Sequence, residues 1–323
     1  MLRKSLFVIA FCGLLASCST RQELDPRNEG VIRLGVGKIV TRAEVGSVTA
    51  LGDNIGIYGV QLPEKPADPT DLSGIGWGNA LSMNNVRSTG VAASGAISWD
   101  GIYYYPLDPA HYIKFCAYHP YAADGTNFSV DAPADGQAPV LRFALDGTDD
   151  ILYAAPVIGS RSEVPAALTF RHALTQLMFK IRDVHGELRR NKTKVLNIIF
   201  QDVNTVSSMD IETGIFGEWS APDNLKVPGI EGEEFAFEED GPDFVAPGDA
   251  IMLEPGLASF KITLETSDGT FSDVTIRPSG EPVFAAGHSY EITITFNEQQ
   301  AEISAAATVV DWKFGGTTNI IIQ

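Results

Sequence analysis

Along most of this chain, apolar and polar residues alternate over stretches too short for a helix, and few segments hold a 3.6-residue period through three turns. After Gly30, the side chains of Ile32, Leu34, Val36 and Val40 fall on one side at period two, which predicts a strand with one buried face. A second strand is predicted at Asn54 to Val60, and further strands around Trp99, at Tyr103 to Tyr105 and at Tyr112 to Tyr118. Val140 to Leu145 alternates again. Later strands are predicted at Leu196 to Phe200, Met209 to Ile211, Ile251 to Leu253, Phe260 to Thr266, Thr270 to Ile276 and Tyr290 to Phe296. Thr266-Ser267-Asp268-Gly269 between two of these carries the Asp-Gly signal of a hairpin. Ala167 to Ile181 reads as a short helical turn leading into a strand. Pro and Gly crowd residues 61–80 and 123–139, which are read as loops. Short strands separated by turn residues predict a mainly β protein built from sandwiches rather than parallel sheets.

The amino terminus breaks this pattern. Arg3 and Lys4 precede an apolar run from Ser5 to Leu14, and Leu15-Ala16-Ser17-Cys18 closes it. Basic, apolar and small-residue segments in that order form a secretory signal, and the run is too short to span a bilayer. The cysteine directly after Leu-Ala-Ser resembles a bacterial lipobox, in which the signal is cut between Ser17 and Cys18 and Cys18 is acylated. Two or three acyl chains would hold the protein on a membrane. Residues 1–17 are therefore expected to be the signal, and polar Ser19 to Glu29 a spacer.

What remains is long enough for two domains of roughly 150 residues each. The Pro-containing stretch after Asp149 marks the boundary, with residues 43–165 and 166–323 expected as successive domains. A hydrophobic fraction of 44% excludes a disordered chain, and no second apolar run reaches membrane-spanning length. The net charge of -18 repels phosphate backbones, so nucleic acid is not an expected partner. With Cys12 in the signal and Cys18 acylated, Cys116 has no disulfide partner and is read as a buried, inert thiol.

The search for chemistry is negative. There is no Gly-x-Ser-x-Gly, His-Glu-x-x-His, Cys-x-x-Cys or phosphate-binding loop, so neither catalytic residue nor cofactor is expected. His111 and His119 have one strand face in common as a weak metal pair, and His172 is read as a packed or capping residue. Glu231 to Asp243 carries seven acidic residues without calcium-loop spacing and is read as an exposed acidic loop. Tyr103, Tyr104 and Trp77 offer an aromatic platform for a glycan, with strand packing as the plainer reading.

Several short motifs stand in a recognisable order: the Leu-Ala-Ser-Cys lipobox, Thr41-Arg42-Ala43, Tyr104-Tyr105-Pro106, Phe115-x-Ala117-Tyr118-x-Pro120 and Asp150-Ile151-Leu152-Tyr153-Ala154. Phe170-Arg171-His172-Ala173-Leu174, Ala286-Gly287-His288-Ser289-Tyr290 and Asp311-Trp312 follow. In this order they resemble the fimbrillin family of Bacteroidetes, over nearly the whole mature chain. That resemblance implies two transthyretin-like β-sandwich domains and a subunit of type V pili without catalytic activity. It implies passage to the outer membrane as a lipoprotein, removal of the anchor with the first strand by an extracellular Arg-specific protease, and assembly into an extracellular fimbria.

Carried over by position, Arg42 and Ala43 flank the expected cut, with Arg27 and Arg33 as other candidate sites. Other pilus subunits are then the expected partners through β-strand addition, with a host or bacterial surface ligand beyond them. The expected donor is the tail, where Ala306 to Val310 and the segment holding Thr317, Ile320, Ile321 and Ile322 flank Gly315-Gly316. A last strand folded back on its own domain is the alternative for that tail. Stalk, tip and anchor roles stay open, as does a permanently anchored glycan-binding lipoprotein.

Overall fold

The computed structural model describes residues 30–40, 48–134, 136–231, 235–297 and 302–310. In chain order the first strands are β1 (Val36–Val40), β2 (Gly56–Leu62), β3 (Leu81–Val91), β4 (Ile97–Trp99), β5 (Tyr112–His119), β6 (Phe128–Asp131), β7 (Val140–Ala144), β8 (Leu152–Gly159) and β9 (Leu168–His172). Then come β10 (Thr175–Arg182), a one-turn helix α1 (Glu187–Asn191), β11 (Lys194–Asp210), β12 (Ser220–Lys226), β13 (Phe235–Ala236), β14 (Phe244–Val245) and β15 (Ile251–Leu253). The last are β16 (Phe260–Thr266), β17 (Gly269–Ile276), β18 (Ser289–Asn297) and β19 (Glu302–Val310). The mainly β class and sandwich-type packing expected from the alternation are what the chain adopts.

The first sheet runs β1-β9-β8-β5-β2-β3-β4. Its central strand β5 is buried on both faces, because alternate residues enter two different cores. Ile113, Phe115 and Ala117 face an inner core with Ile57, Leu152 and Phe170. Cys116 and Tyr118 face the other way, against Leu141, Phe143, Met209 and Ile211 from β7, β11 and the turn after it. A second seven-stranded sheet, β17-β16-β11-β7-β6 with β12 and β13 also paired to β11, thus supplies the cover for the first. Its β11 and β16 also pack on the sheet β14-β10-β18-β19, where Phe179, Phe200, Phe260, Phe284 and Tyr290 form a run of edge-on and tilted ring contacts. The chain leaves the first sheet between β9 and β10, at Ala173 and Leu174, while β6 and β7 reach across to β11.

Several elements differ from their sequence patterns, each for a local reason. The first strand buries Ile32, Leu34, Val36 and then Ile39, because an irregularity between Val36 and Lys38 shifts the phase by one residue. Ala167 to Ile181 holds no helical turn but two strands, β9 and β10, and the run of consecutive buried residues from His172 to Leu177 across their junction interrupts the alternation. The two strands expected within residues 196–211 are one, β11, whose register breaks between Phe200 and Val203 with Asp202 in the left-handed region. β8 passes through Pro156 at a register shift opposite Phe115 and Ala117, a place where the missing N–H is tolerated. β3 and β6 are additional strands, and Tyr103 to Tyr105 supplies only an isolated bridge at Tyr104.

Candidate functional site

The N-terminal segment from Gly30 to Val40 is the piece whose environment is most unusual. It lies between the two ends of the first sheet and joins them. Its first half pairs with one end: the Ile32 N–H donates to the Tyr103 carbonyl at 2.8 Å, the Tyr105 N–H donates to the Gly30 carbonyl at 2.8 Å, and Val31 bridges Tyr104. Next, the Val36 N–H donates to the Gly95 carbonyl at 2.8 Å and the Ile97 N–H to the Leu34 carbonyl at 3.1 Å, beside β4. Its second half turns to the opposite end, where the Leu168 N–H donates to the Gly35 carbonyl at 2.7 Å and β1 runs parallel to β9 from Val36 opposite Leu168 to Val40 opposite Arg171.

Its side chains divide as a half-buried strand requires. Ile32, Leu34, Val36 and Ile39 enter the inner core among Leu51, Ile57, Met83, Ile97 and Phe115, while Arg33 and Lys38 stay in water. Gly95 makes the close approach possible. It sits at φ +84°, and a Cβ there would lie 2.2 Å from the Val36 carbonyl oxygen. Tyr105 lines the same core edge-on to Phe115, with its phenol pushed well above its ordinary pKa by burial. The segment therefore contributes one stave of the inner core and hydrogen bonds on both of its flanks. Its covalent link to the fold that follows runs through residues 41–47.

The expected sites at Ser17, Cys18, Arg42, Ala43, Thr317, Ile320, Ile321 and Ile322 lie outside the described residues, as do Arg27 and Trp312. The other half of the donor candidate is placed: Ala306 to Val310 forms the end of β19, antiparallel to β18 in its own sheet. The aromatic platform does not assemble on the surface. Tyr104 is exposed, but Tyr103 packs against the inner core and Trp77 is buried on the opposite face of the sheet. Cys116 is buried and its thiol is pushed up by burial, as an inert core cysteine should be. His172 is buried with its Nδ1 2.7 Å from Asp150 Oδ2, so it is a packed residue. His111 lies near Asp108, and His119 Nδ1 sits 3.0 Å from the Asn54 carbonyl with burial lowering its pKa. Among the described residues no cluster of three potential ligands could hold a metal ion.

One buried polar group has no precedent in the sequence reading. Lys114 on β5 donates from Nζ to Glu212 Oε1 at 2.6 Å and to the Leu72 carbonyl at 3.1 Å. Glu212, in the turn after β11, also accepts from Trp77 Nε1 at 2.7 Å and from the Gly74 N–H at 3.0 Å. The group pins the Gly-rich loop and the β11 turn onto the outer face of the first sheet. A lysine inside the apolar run from Ile113 to Tyr118 was the signal that something must meet it.

A fimbrillin-like family model matches residues 41–312. The chain belongs to the fimbrillin-like family. Among solved structures, this fimbrillin-like chain is similar to a candidate cell adhesion protein from Bacteroides uniformis, with a TM-score of 0.57 and 18% identity over 88% of this chain and 99% of that one. It is similar to a fimbrial protein from Bacteroides vulgatus, with a TM-score of 0.56 and 15% identity over 87% and 99% of the two chains. A third, a candidate cell adhesion protein from Bacteroides ovatus, has a TM-score of 0.55 and 17% identity over 88% and 98%. At these identities the likeness is one of fold. No curated protein matches the sequence.

Proposed function

We propose that this chain is a structural and adhesive subunit of a cell-surface pilus, without catalysis of its own. On this reading it is exported as a lipoprotein on Cys18 and held at the outer membrane. It assembles into an extracellular fimbria after an extracellular Arg-specific protease cuts between Arg42 and Ala43. The observation that carries the reading is the seat of residues 30–40. The segment fills a core position and pairs on both flanks, yet a single cut in the connection that follows would separate it from the chain.

Its departure would expose the apolar faces of Ile57, Ile97 and Phe115 and two rows of unpaired backbone groups. An extended segment from another subunit would satisfy both by β-strand addition. The tail that holds Thr317, Ile320, Ile321 and Ile322 is the proposed donor, its sequence being rich in β-branched residues and free of proline. The test is the intact mass and N-terminal sequence of the protein recovered from its host's surface, compared with the Arg42→Ala form. A terminus at Ala43 without acyl mass, lost in the variant, is expected. A lipidated Cys18 terminus in both forms would contradict processing.

A further inference from the structure

Single exposed apolar residues are ordinary on a soluble surface, but several at one end of a molecule are not. Ile102, Tyr104, Leu107 and Val164 are 66%, 57%, 86% and 79% exposed. They belong to two loops, residues 100–111 and 160–167, that meet where β5 begins and β8 finishes, at one end of these central strands. The Tyr112 hydroxyl donates to Glu163 Oε2 at 3.0 Å, and a Cβ on Gly159 would lie 2.8 Å from the Tyr105 hydroxyl and 2.7 Å from Pro165 Cδ. The N-terminal segment begins at the same end. Gly30 accepts from the Tyr105 N–H, Val31 bridges Tyr104, and a Cβ on Gly30 would lie 3.1 Å from the Arg161 guanidinium.

The chain that reaches Gly30 comes from Cys18 through Ser19 to Glu29, a stretch that spans at most about 40 Å when extended. An acylated Cys18 therefore keeps this end within that distance of the lipid surface. Leu107 and Val164 have apolar side chains to insert, and the exposed Tyr104 has the apolar ring and polar tip that favour a membrane interface. The net charge of -18 makes strongly anionic headgroups a poor partner and leaves shallow apolar insertion as the attraction. We propose that, before processing, the end of the first sheet formed by Ile102, Tyr104, Leu107 and Val164 docks on the bilayer that holds Cys18. The docking presents the segment and the connection after it in one orientation instead of leaving the body free on its tether. The inference rests on acylation of Cys18, and the experiment separates the two.

The acylated full-length chain carrying Leu107→Cys, Val164→Cys or Leu196→Cys, labelled with a polarity-sensitive fluorophore, is reconstituted on phosphatidylcholine vesicles containing a spin-labelled lipid. Buried Cys116 does not take the label. Leu196 is exposed on β11 and serves as the reference. The expected result is a blue shift and lipid quenching at positions 107 and 164 and neither at 196. Equal signals at all three positions, in protein that floats with the vesicles and carries the acyl mass on Cys18, would overturn the docking and leave lipoprotein export standing. Absence of the acyl mass from the Arg42→Ala form recovered from the native host would overturn both. A blue shift at 107 that develops in lipid-free protein as its concentration rises would assign the patch to a second copy of the chain and also overturn the proposal.

Discussion

Substituting Gly95 by alanine tests whether the N-terminal segment is seated as a stave of the inner core. The backbone there has φ +84°, which costs an L-residue about 1–2 kcal/mol. The new methyl would also lie 2.2 Å from the Val36 carbonyl oxygen, so the segment must retreat. Retreat stretches the Val36-to-Gly95 and Ile97-to-Leu34 hydrogen bonds, each worth about 0.5–1.5 kcal/mol net. The sum is a loss of about 2–5 kcal/mol. Gly101 provides the control, since it too has φ +84° but its Cβ would meet only the Tyr103 ring, at 3.8 Å. Gly101→Ala should therefore cost only the conformational strain, about 1–2 kcal/mol. Urea unfolding of both variants measures the difference, and the rate of Arg-specific proteolysis at Arg33 reports whether the segment has loosened. Equal destabilisation by the two substitutions, with cleavage at Arg33 no faster in Gly95→Ala than in wild type, would refute the reasoning.

Other predictions follow from named contacts. Glu212→Gln leaves buried Lys114 without its carboxylate partner and should cost about 3–5 kcal/mol, with part recovered when Lys114→Met is added; a double variant worse than the single one in urea unfolding would contradict this. Ile39→Ala should cost about 2–5 kcal/mol against under about 0.5 for the neighbouring exposed Lys38→Ala, and equal midpoints would count against burial of Ile39. Asp183 caps α1: burial pushes its carboxyl up, but hydrogen bonds from the Arg189 backbone and side chain and from Leu188, with the Arg189 charge, carry it below its ordinary value. A carboxyl held low in the folded state stabilises fully above its unfolded pKa of about 3.9 and loses that contribution as pH falls through its folded pKa. The stability gap between wild type and Asp183→Asn should thus be widest at neutral pH and shrink below about pH 4; a gap that stays constant in acid would exclude Asp183 as the source.

The elements legible in the sequence are those with one wet face or, like buried β5 and β15, a short apolar run bounded by turn residues. β16 and β17 alternate and meet at Asp268-Gly269, and both were readable to within a residue. At the junction of β9 and β10, His172 to Leu177 are all buried, and that run interrupts the alternation and mimics a helical turn. Local bulges have the same effect: the phase shift after Val36 puts Ile39 in the core, off the period-two pattern, and the break at Asp202 split β11 into two apparent strands. The strand character of residues 30–40 was visible, but its seat was not. That seat is built largely from backbone groups at Gly95 and Tyr103 to Tyr105, and only a glycine marks the close approach. The Lys114 and Glu212 pair is separated by 98 residues, so a buried lysine was inferable while its partner was not.

The central claim is that the place occupied by residues 34–36 is later taken by another chain. Ala96, which bridges Gly35 beside β4, is the position to ask. A photo-crosslinking residue at Ala96, expressed in the native host and activated on lipid-anchored protein and on sheared filaments, identifies its neighbour by mass spectrometry. The account predicts a link to residues 34–36 of the same chain before processing and to the tail of another subunit in filaments. A link to the chain's own residues 34–36 in both samples would contradict strand exchange at this site.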